Sequence, residues 1–459
     1  MEKEGSMGSF SAKPQFDARE VACLEREHVL YPWTPKQNDL NPRVAERAHG
    51  TRFWLNGREV LDFSAQMVFM NVGHCHPVVL RAIEDQLKVL PVAAPTFANA
   101  PRAQLAKKLA EITPGSLKKT FFSTGGADAV EAATMAAKAF TGRRKIIARY
   151  REYHGSTYGG MAFSSDQRSW QFSPTLPDVI HVPAPDLYRC IDCRPGSPCA
   201  VCSGKQIEEI IRYEGPNQIA AVLVELIPGS NGILVPPEAY FPEIRRITRK
   251  YGIVFIADEV MTGFGRTGEW FACNHWDIEP DIMTLAKGIT SGYIPLGATI
   301  MSAEIANHFE DQPWVHGHTY TGHALAAAAA NAVISVYEKE GLIHNSREVG
   351  NYLLEQARNL MDRHPSIGDI RGKGLFVGVE LVRNRSTKAP LYDWPTGQGA
   401  ASKQRILNAA FDRGLYVMGG NANVLMLCPP LTVTRAEVDE AISILDEVLR
   451  LSDSECESL

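Results

Sequence analysis

The chain has 459 residues, 45% of them hydrophobic and 22% charged. That is enough apolar surface for two or three domains or one large α/β body with extensions, and it excludes disorder as the main state. With 47 Lys+Arg against 52 Asp+Glu the net charge is -5, so neither a basic nucleic-acid binder nor an acidic solvating tail is expected, and small molecules are the expected partners.

The polar start, MEKEGSMGSFSAKPQFDARE, reads as a mobile arm without a signal-peptide core. No run reaches the roughly 18 apolar residues that cross a bilayer. No membrane partner is expected, and the expected location is the cytoplasm. In TRFWLNGREVLDF (51–63) the Asn56-Gly57 turn predicts a β-hairpin. A polar-aromatic stretch, Ser64 to Pro77, precedes helices over Val78 to Leu90 and Pro101 to Ile112. From Lys119 to about Ala303 strand and helix alternate. KKTFFS, RRKIIARY, AAVLVELI, GIVFIADEV and DIMTLAKG read as strands. GGADAVEAATMAAKAFTG and Tyr240 to Tyr251 read as helices. This order predicts a mostly parallel sheet with helices on both faces. After a helix from about Ala324 the pattern becomes α+β. It shows a helix over Asn345 to His364, strand-like GLFVGVELV, an exposed loop from Asn384 to Gln398, a helix over Ser402 to Arg413, NVLMLCPPL, and a last helix from Arg435 to Leu451. The expected division is 1–63 as an arm and part of a small domain, 64–330 as a large domain, and 331–459 as the rest of the small domain.

Three segments carry chemistry. In GIVFIADEVMTGFGRTG (252–268) a buried strand ends in Asp258-Glu259, at the strand edge where open α/β sheets bind ligands. In DIMTLAKGITSGYIPLGA (281–298) Lys287 stands at a second strand end among small residues. It is placed to act as a desolvated amine nucleophile, or as a salt-bridge partner of Asp258 or Glu259. In FFSTGGADAVEAA (121–133) Gly125-Gly126 opens a helix, and free N–H groups there suit a phosphate. A phosphate cradle, a carboxylate for a ring nitrogen and a lysine for an aldehyde are together what pyridoxal 5'-phosphate requires.

With these motifs in view, DEVMTGFGRTG followed by LAKG resembles the signature of class III (omega-type) pyridoxal-phosphate aminotransferases. NVGHCHP (71–77), YHGST (153–157) and GHTYTGH (317–323) are similar to further family motifs, so the resemblance spans nearly the whole chain. It implies the type I fold and a homodimer, or dimer of dimers, with sites at the subunit interface. It implies Lys287 as the Schiff-base lysine, Asp258 as the pyridinium partner, and Val260 and Tyr153 on the two ring faces. Gly125, Gly126 and Ala127 would give N–H groups to the phosphate, and Thr319 of the neighbouring protomer a hydroxyl. His154 would orient Tyr153 or be a locally satisfied histidine.

Substrate residues depart from the pattern. The positions resembling the family's carboxylate-binding arginines hold Met426 and Met418, so Glu225, similar to the acid that pairs with such an arginine, lacks its partner. Arg52, close to Trp54, is the substitute the sequence offers. Met261 replaces a residue that is often polar. YPWTPKQ (31–37) and DFSAQMVFMNVGHCHP (62–77) look most like the taurine and beta-alanine subgroup. Tyr31, Trp33 and Trp54 would line the substrate mouth or pack the small domain. The implied reaction moves an amino group from an omega-amino acid or primary amine (taurine, beta-alanine, gamma-aminobutyrate) to pyruvate or 2-oxoglutarate. The alternatives are an amine:pyruvate enzyme preferring apolar amines, a related decarboxylase or aminomutase, and a catalytically dead binding protein.

Nine cysteines, an odd number, with Cys23, Cys75, Cys273, Cys428 and Cys456 scattered, do not form a secreted disulfide framework. The other four lie in CIDCRPGSPCAVC, two C-x2-C pairs at Cys190, Cys193, Cys199 and Cys202. Such pairs ligate zinc or iron, though the gap between them is short for a metal knuckle and the chemistry above needs no metal. A structural metal, disulfides and free thiols stay open, and no residue is assigned as a metal ligand.

Overall fold

Ile219–Glu225 and Val254–Asp258 are buried at every position, as strands covered by helices on both faces must be. The computed structural model, which describes residues 16–33, 42–172, 176–190, 192–193, 199–393, 395–421 and 423–457, places them at the centre of a seven-stranded sheet. Its order is Leu117–Ser123, Gly297–Ser302, Ile282–Leu285, Val254–Asp258, Ile219–Glu225, Lys145–Arg149, Val179–Val182. Neighbours from Ile282–Leu285 onward pair in parallel. Gly297–Ser302 runs antiparallel to both its neighbours. It was not legible in the sequence, because GATIMS is short, starts with glycine and follows a turn-rich stretch.

The register sets the site. Glu225 lies opposite Asp258, and Asp258 opposite Thr284. The helix Gly126–Thr141 packs on this sheet with a face of small residues, Ala129, Ala132, Ala133, Ala136 and Ala137, which lets its backbone come close. Gly142 in the left-handed region ends it.

The hairpin forms as expected, with Leu55 opposite Arg58 and both Asn56 and Gly57 at positive φ. A strand not foreseen, Ala45–His49, extends it, and Leu415–Tyr416 adds in parallel on the far side. That pairing joins the two ends of the chain in one sheet. A third sheet combines Ile367–Lys373, Phe376–Asn384, Val424–Leu427 and Met418–Gly419.

The expected N-terminal arm lies largely outside the described residues, and the expected exposed loop is corrected. Residues 1–15 of the N-terminal arm lie outside the described residues, but Ala18–His28 is a helix capped by Asp17. The stretch 384–398, which includes residue 394 outside the described residues, is not simply an exposed loop. Ala389–Pro390 pairs with the long strand, and Leu391 and Tyr392 are buried. Among the described residues no helix is long and apolar enough to cross a membrane.

One buried side chain ties these parts together. Arg266, fully buried, donates to the carbonyls of Leu375 (3.0 Å) and Pro429 (2.6 Å) and to Asn71 Oδ1 (2.6 Å). Burial lowers its guanidinium from the usual range, and its acceptors are all uncharged. Arg266→Met should strand these acceptors and cost roughly 3 kcal/mol, since buried groups left unsatisfied cost about 1–3 kcal/mol each. Urea titration measures it, and a loss below about 0.5 kcal/mol would place the cross-link among ordinary surface effects.

Candidate active site

The strand ends converge on a cavity of about 410 Å³ lined by Gly125, Gly126, Ala127, Tyr153, His154, Asp258, Val260 and Lys287, among others. Lys287 begins the turn after Ile282–Leu285 and takes a left-handed φ of 45°, a strained conformation for a side chain of this kind. Burial lowers its amine below the usual range, the carboxylates of Asp258 and Glu225 oppose this, and Arg168 adds to it. A larger share of free base follows.

Asp258, 3% exposed, accepts through Oδ1 from the Val260 amide and the Thr284 hydroxyl, both at 3.0 Å. Through Oδ2 it meets His154 Nδ1 at 2.6 Å. His154 does not reach the Tyr153 hydroxyl, which bonds Ser156 Oγ at 2.6 Å. Its role is instead to hold Asp258. Its Nε2 faces Glu152 Oε2 at 3.5 Å, and Glu152 is held by the fully buried Arg149, whose Nε donates to Oε1 at 2.8 Å. Arg149, Glu152, His154 and Asp258 thus alternate in charge. Burial alone would lower the His154 imidazolium, but Asp258 and Glu152 outweigh it and raise it to about 10.

Glu259, the neighbouring acid, has another task. It accepts from the Ala272 and Cys273 amides at 3.0 and 2.8 Å and from the Thr262 hydroxyl, which folds the following loop. With Asp258 paired to His154 and Glu259 to amides, neither is a salt-bridge partner of Lys287. Glu225 is buried, takes the Tyr153 amide at 2.8 Å and the Gly229 amide at 3.3 Å, and is raised to about 7, chiefly by burial. No arginine meets its carboxylate among the described residues.

The helix starting at Gly126 leaves its first N–H groups without intrahelical acceptors. A Cβ on Gly126 would stand 2.8 Å from Val260 Cγ1, and one on Gly155 (φ +127°) 2.3 Å from Ala127 Cβ. These glycines let two loops close on the helix start while the amides stay open. A flat ring between Tyr153 and Val260, with a phosphate at Gly125–Ala127 and a nitrogen at Asp258, fits this lining.

A second cavity of about 430 Å³ shares Tyr153 and Lys287 with the first. Trp33, Met261, Met418, Met426, Phe411 and Tyr416 give it apolar walls, and Arg43 and Arg168 are its arginines. The sequence reading missed both. SDQRSW looks like a solvated loop until folding places the Arg168 guanidinium 3.6 Å from the Tyr153 ring centre. Asp166 grips Arg168 with both oxygens, and Ser230 Oγ accepts from it at 2.9 Å.

The structure places three of the expected substrate residues away from both cavities of this chain. Arg52 pairs with Glu440 (2.6 Å) and Glu59 (3.2 Å), Trp54 lies under the Arg47 guanidinium at 4.2 Å, and the Tyr31 hydroxyl donates to Glu25 at 3.0 Å. None lines either cavity: Arg52 and Trp54 share one face of the strand Arg52–Leu55, which carries them to these partners, and Tyr31 follows the helix Ala18–His28 and turns back onto it. The rest of the YPWTPKQ motif, residues 34–37, lies outside the described residues. Thr319 is exposed and lines neither cavity of its own chain.

A pH test follows from His154. A folded value near 10, above the ordinary 6.5, means its stabilisation is complete below pH ~6.5 and is lost as pH rises toward 10. The urea-midpoint gap between the wild type and His154→Gln should therefore be widest on the acid side of pH ~6.5 and shrink toward pH 10. A constant gap across that range would remove the imidazolium from the ladder.

Comparison with known proteins places this geometry. The family model described as aminotransferase class-III matches residues 34–449. The chain is 34% identical to a taurine--pyruvate aminotransferase of Bilophila wadsworthia, over 94% of this chain and 97% of that one. It is 36% identical to an isoleucine 2-epimerase of Lentilactobacillus buchneri, over 92% and 93%. The solved structure of a taurine:2-oxoglutarate aminotransferase from Bifidobacterium kashiwanohense, in complex with pyridoxal phosphate and glutamate, superposes with a TM-score of 0.92 at 34% identity, covering 96% of this chain and 99% of that one. The α/β body is therefore the type I transaminase fold, the cofactor is pyridoxal phosphate, and the chain belongs to the class III aminotransferases.

Proposed function

We propose that this aminotransferase takes the amino group of an omega-amino acid (taurine, beta-alanine, gamma-aminobutyrate or similar) and passes it to pyruvate or 2-oxoglutarate. The observation that carries this reading is the second cavity, where methionine and aromatic walls lead from Lys287 past the rigidly held Arg168. A short apolar stem with an acid group at the end remote from the amine suits that surface, and guanidinium is the natural partner of carboxylate or sulfonate. The relatives that act on taurine support the same reading.

Pyridoxal phosphate, when bound, supplies an aldehyde for the amine and a protonated ring that accepts electrons. Gly125, Gly126 and Ala127 would hold its phosphate, Val260 and Tyr153 its ring faces, and Asp258 the proton on its ring nitrogen. His154 Nδ1, 2.6 Å from Asp258 Oδ2, holds that carboxylate in place for that work. Lys287 would bind the aldehyde and, once released by the incoming amine, move a proton between substrate and cofactor carbons. Its lowered basicity leaves it able to accept that proton.

The working unit we propose is a homodimer in the cytoplasm, with residues 64–330 as the cofactor-binding part and both chain ends as the smaller part. Thr319 would serve the partner's phosphate. Val89, Val92, Phe97, Val315 and Tyr320, all exposed and apolar, lie on segments joined by the Leu325 amide to the Pro91 carbonyl and by Asn99 to the Gly322 carbonyl. A contiguous apolar surface of this kind supports an interface. An odd count of nine cysteines, five of them scattered, suits a reducing compartment better than a secreted framework.

Lys287→Ala should abolish turnover and the visible absorbance of the bound cofactor in a folded protein; retention of both would overturn its role. Arg168→Met should cut kcat/KM for taurine and beta-alanine by about 10–100-fold, the worth of a charged hydrogen bond. It should leave 1-phenylethylamine within about threefold, since that amine offers no acid group. An equal loss for both would mean that Arg168 only supports Tyr153. Conversion of an α-amino acid to its epimer without any keto acid would instead favour the epimerase activity named for the 36% identical relative.

A further inference from the structure

The four cysteines between Val179–Val182 and the helix Lys205–Glu214 belong to neither cavity. Folding nevertheless brings them to one point. Cys190 and Cys199 sulfurs stand 3.6 Å apart, Cys193 and Cys202 sulfurs 3.4 Å, and all four lie within 4.8 Å of one another. One ion about 2.3 Å from each of four tetrahedral sulfurs spaces them about 3.8 Å apart. Two disulfides would give each sulfur a single partner at about 2.05 Å, more than an ångström closer than either pair stands here. The Cys202 amide also points at Cys199 Sγ at 3.3 Å, the kind of outer hydrogen bond that favours a thiolate ligand.

We infer that Cys190, Cys193, Cys199 and Cys202 form a structural tetrathiolate site for one thiophilic divalent ion, zinc in the first instance. Binding forms four metal–sulfur bonds and releases the four thiol protons to solvent, with no electron transferred. Four sulfurs leave no open position, so the ion is structural rather than catalytic. The small gap between the two C-x2-C pairs is no obstacle, because each close contact joins one pair to the other.

The ion has a junction to hold. Just before Cys190, Arg189 donates to Glu380 on the strand Phe376–Asn384, and the Tyr188 carbonyl accepts from Lys388 Nζ at 2.6 Å. Just after Cys202, Gly204 turns against the helix Tyr240–Tyr251, where a Cβ would meet Ile244 Cγ1 at 3.2 Å and the Tyr240 carbonyl at 3.3 Å. The site therefore fastens the third sheet to a helix of the large sheet.

The test is metal analysis of the full-length, cofactor-loaded protein purified without chelator, with thiol titration alongside. Near one equivalent of zinc or iron per chain, lost at least tenfold in Cys193→Ser/Cys202→Ser, supports the site. Less than a tenth of an equivalent, with four reactive thiols or two disulfides, overturns it, as does metal retained in the double variant. Should that variant fail to fold, cobalt(II) exchanged into the wild-type protein decides. Thiolate-to-metal charge transfer with tetrahedral visible bands supports the site, and an octahedral aquo spectrum overturns it.

Discussion

A carboxylate buried to 3% exposure costs the fold heavily unless an opposite charge is buried with it, and most of the site's architecture answers to that requirement at Asp258. His154 supplies the cation, Glu152 balances His154, and Arg149 balances Glu152. Removing one member of such a ladder leaves an uncompensated charge in the core. The ladder also fixes positions. Glu152 accepts the Glu225 amide at 2.8 Å, and Arg149 donates to the Glu225 carbonyl, so the charged chain is bolted to the strand beside Asp258. Lys287 sits in the same field. Its basicity is the balance of burial against Asp258 and Glu225, so the acid that the ladder holds in place also bears on the amine.

Asp258 and Lys287 were legible in the sequence because each ends a buried hydrophobic run, and strand ends are where an open α/β sheet offers chemistry. Gly125-Gly126 was legible for the same local reason. The division of labour between Asp258 and Glu259 was not, since adjacent side chains on a strand point to opposite faces and only the fold shows which face is the site. The bond from His154 to Asp258 joins residues 104 apart in the chain, and no local pattern announces it. The hairpin was read correctly as a hairpin, but the facing of its side chains was not legible, and Arg52 and Trp54 lie away from both cavities of this chain. A strand's register is set by its neighbours, here Ala45–His49 and Leu415–Tyr416, and neither had been recognised as a strand.

On the proposed reading, Arg168 is a binding group that has moved along the chain while the surface it makes stays useful. Met426 and Met418 stand where the family resemblance leads one to expect a flexible arginine, and both line the second cavity as apolar wall. Arg168 reaches that cavity from a loop after Tyr153, stacked on that ring and gripped by Asp166. An arginine that swings can admit two kinds of substrate in turn. One held by a carboxylate, a hydroxyl and an aromatic face has its side-chain entropy already surrendered, so little remains to be lost on binding. The cost is partial neutralisation by Asp166, so under the proposed reading strongly anionic groups would be favoured over weak dipoles.

The strand Phe376–Asn384, which meets the cysteine segment, pairs with the strand that carries Met426 of the second cavity. Glu380 receives Arg189 from the cysteine segment and Arg371 at 2.6 Å from the adjoining strand. Arg371 in turn donates to the Gly232 carbonyl at 2.8 Å through Nε, and Ser230, two residues earlier, holds Arg168 on one side and receives the Asn421 amide at 2.7 Å on the other. Two arginines on one buried carboxylate therefore connect the rim of the molecule to the wall that faces substrate. A shared acid of this kind cannot release one arginine without changing the field at the other. The segment carrying the four cysteines is thus separate from the reaction but not from the rigidity on which placement of Arg168 rests.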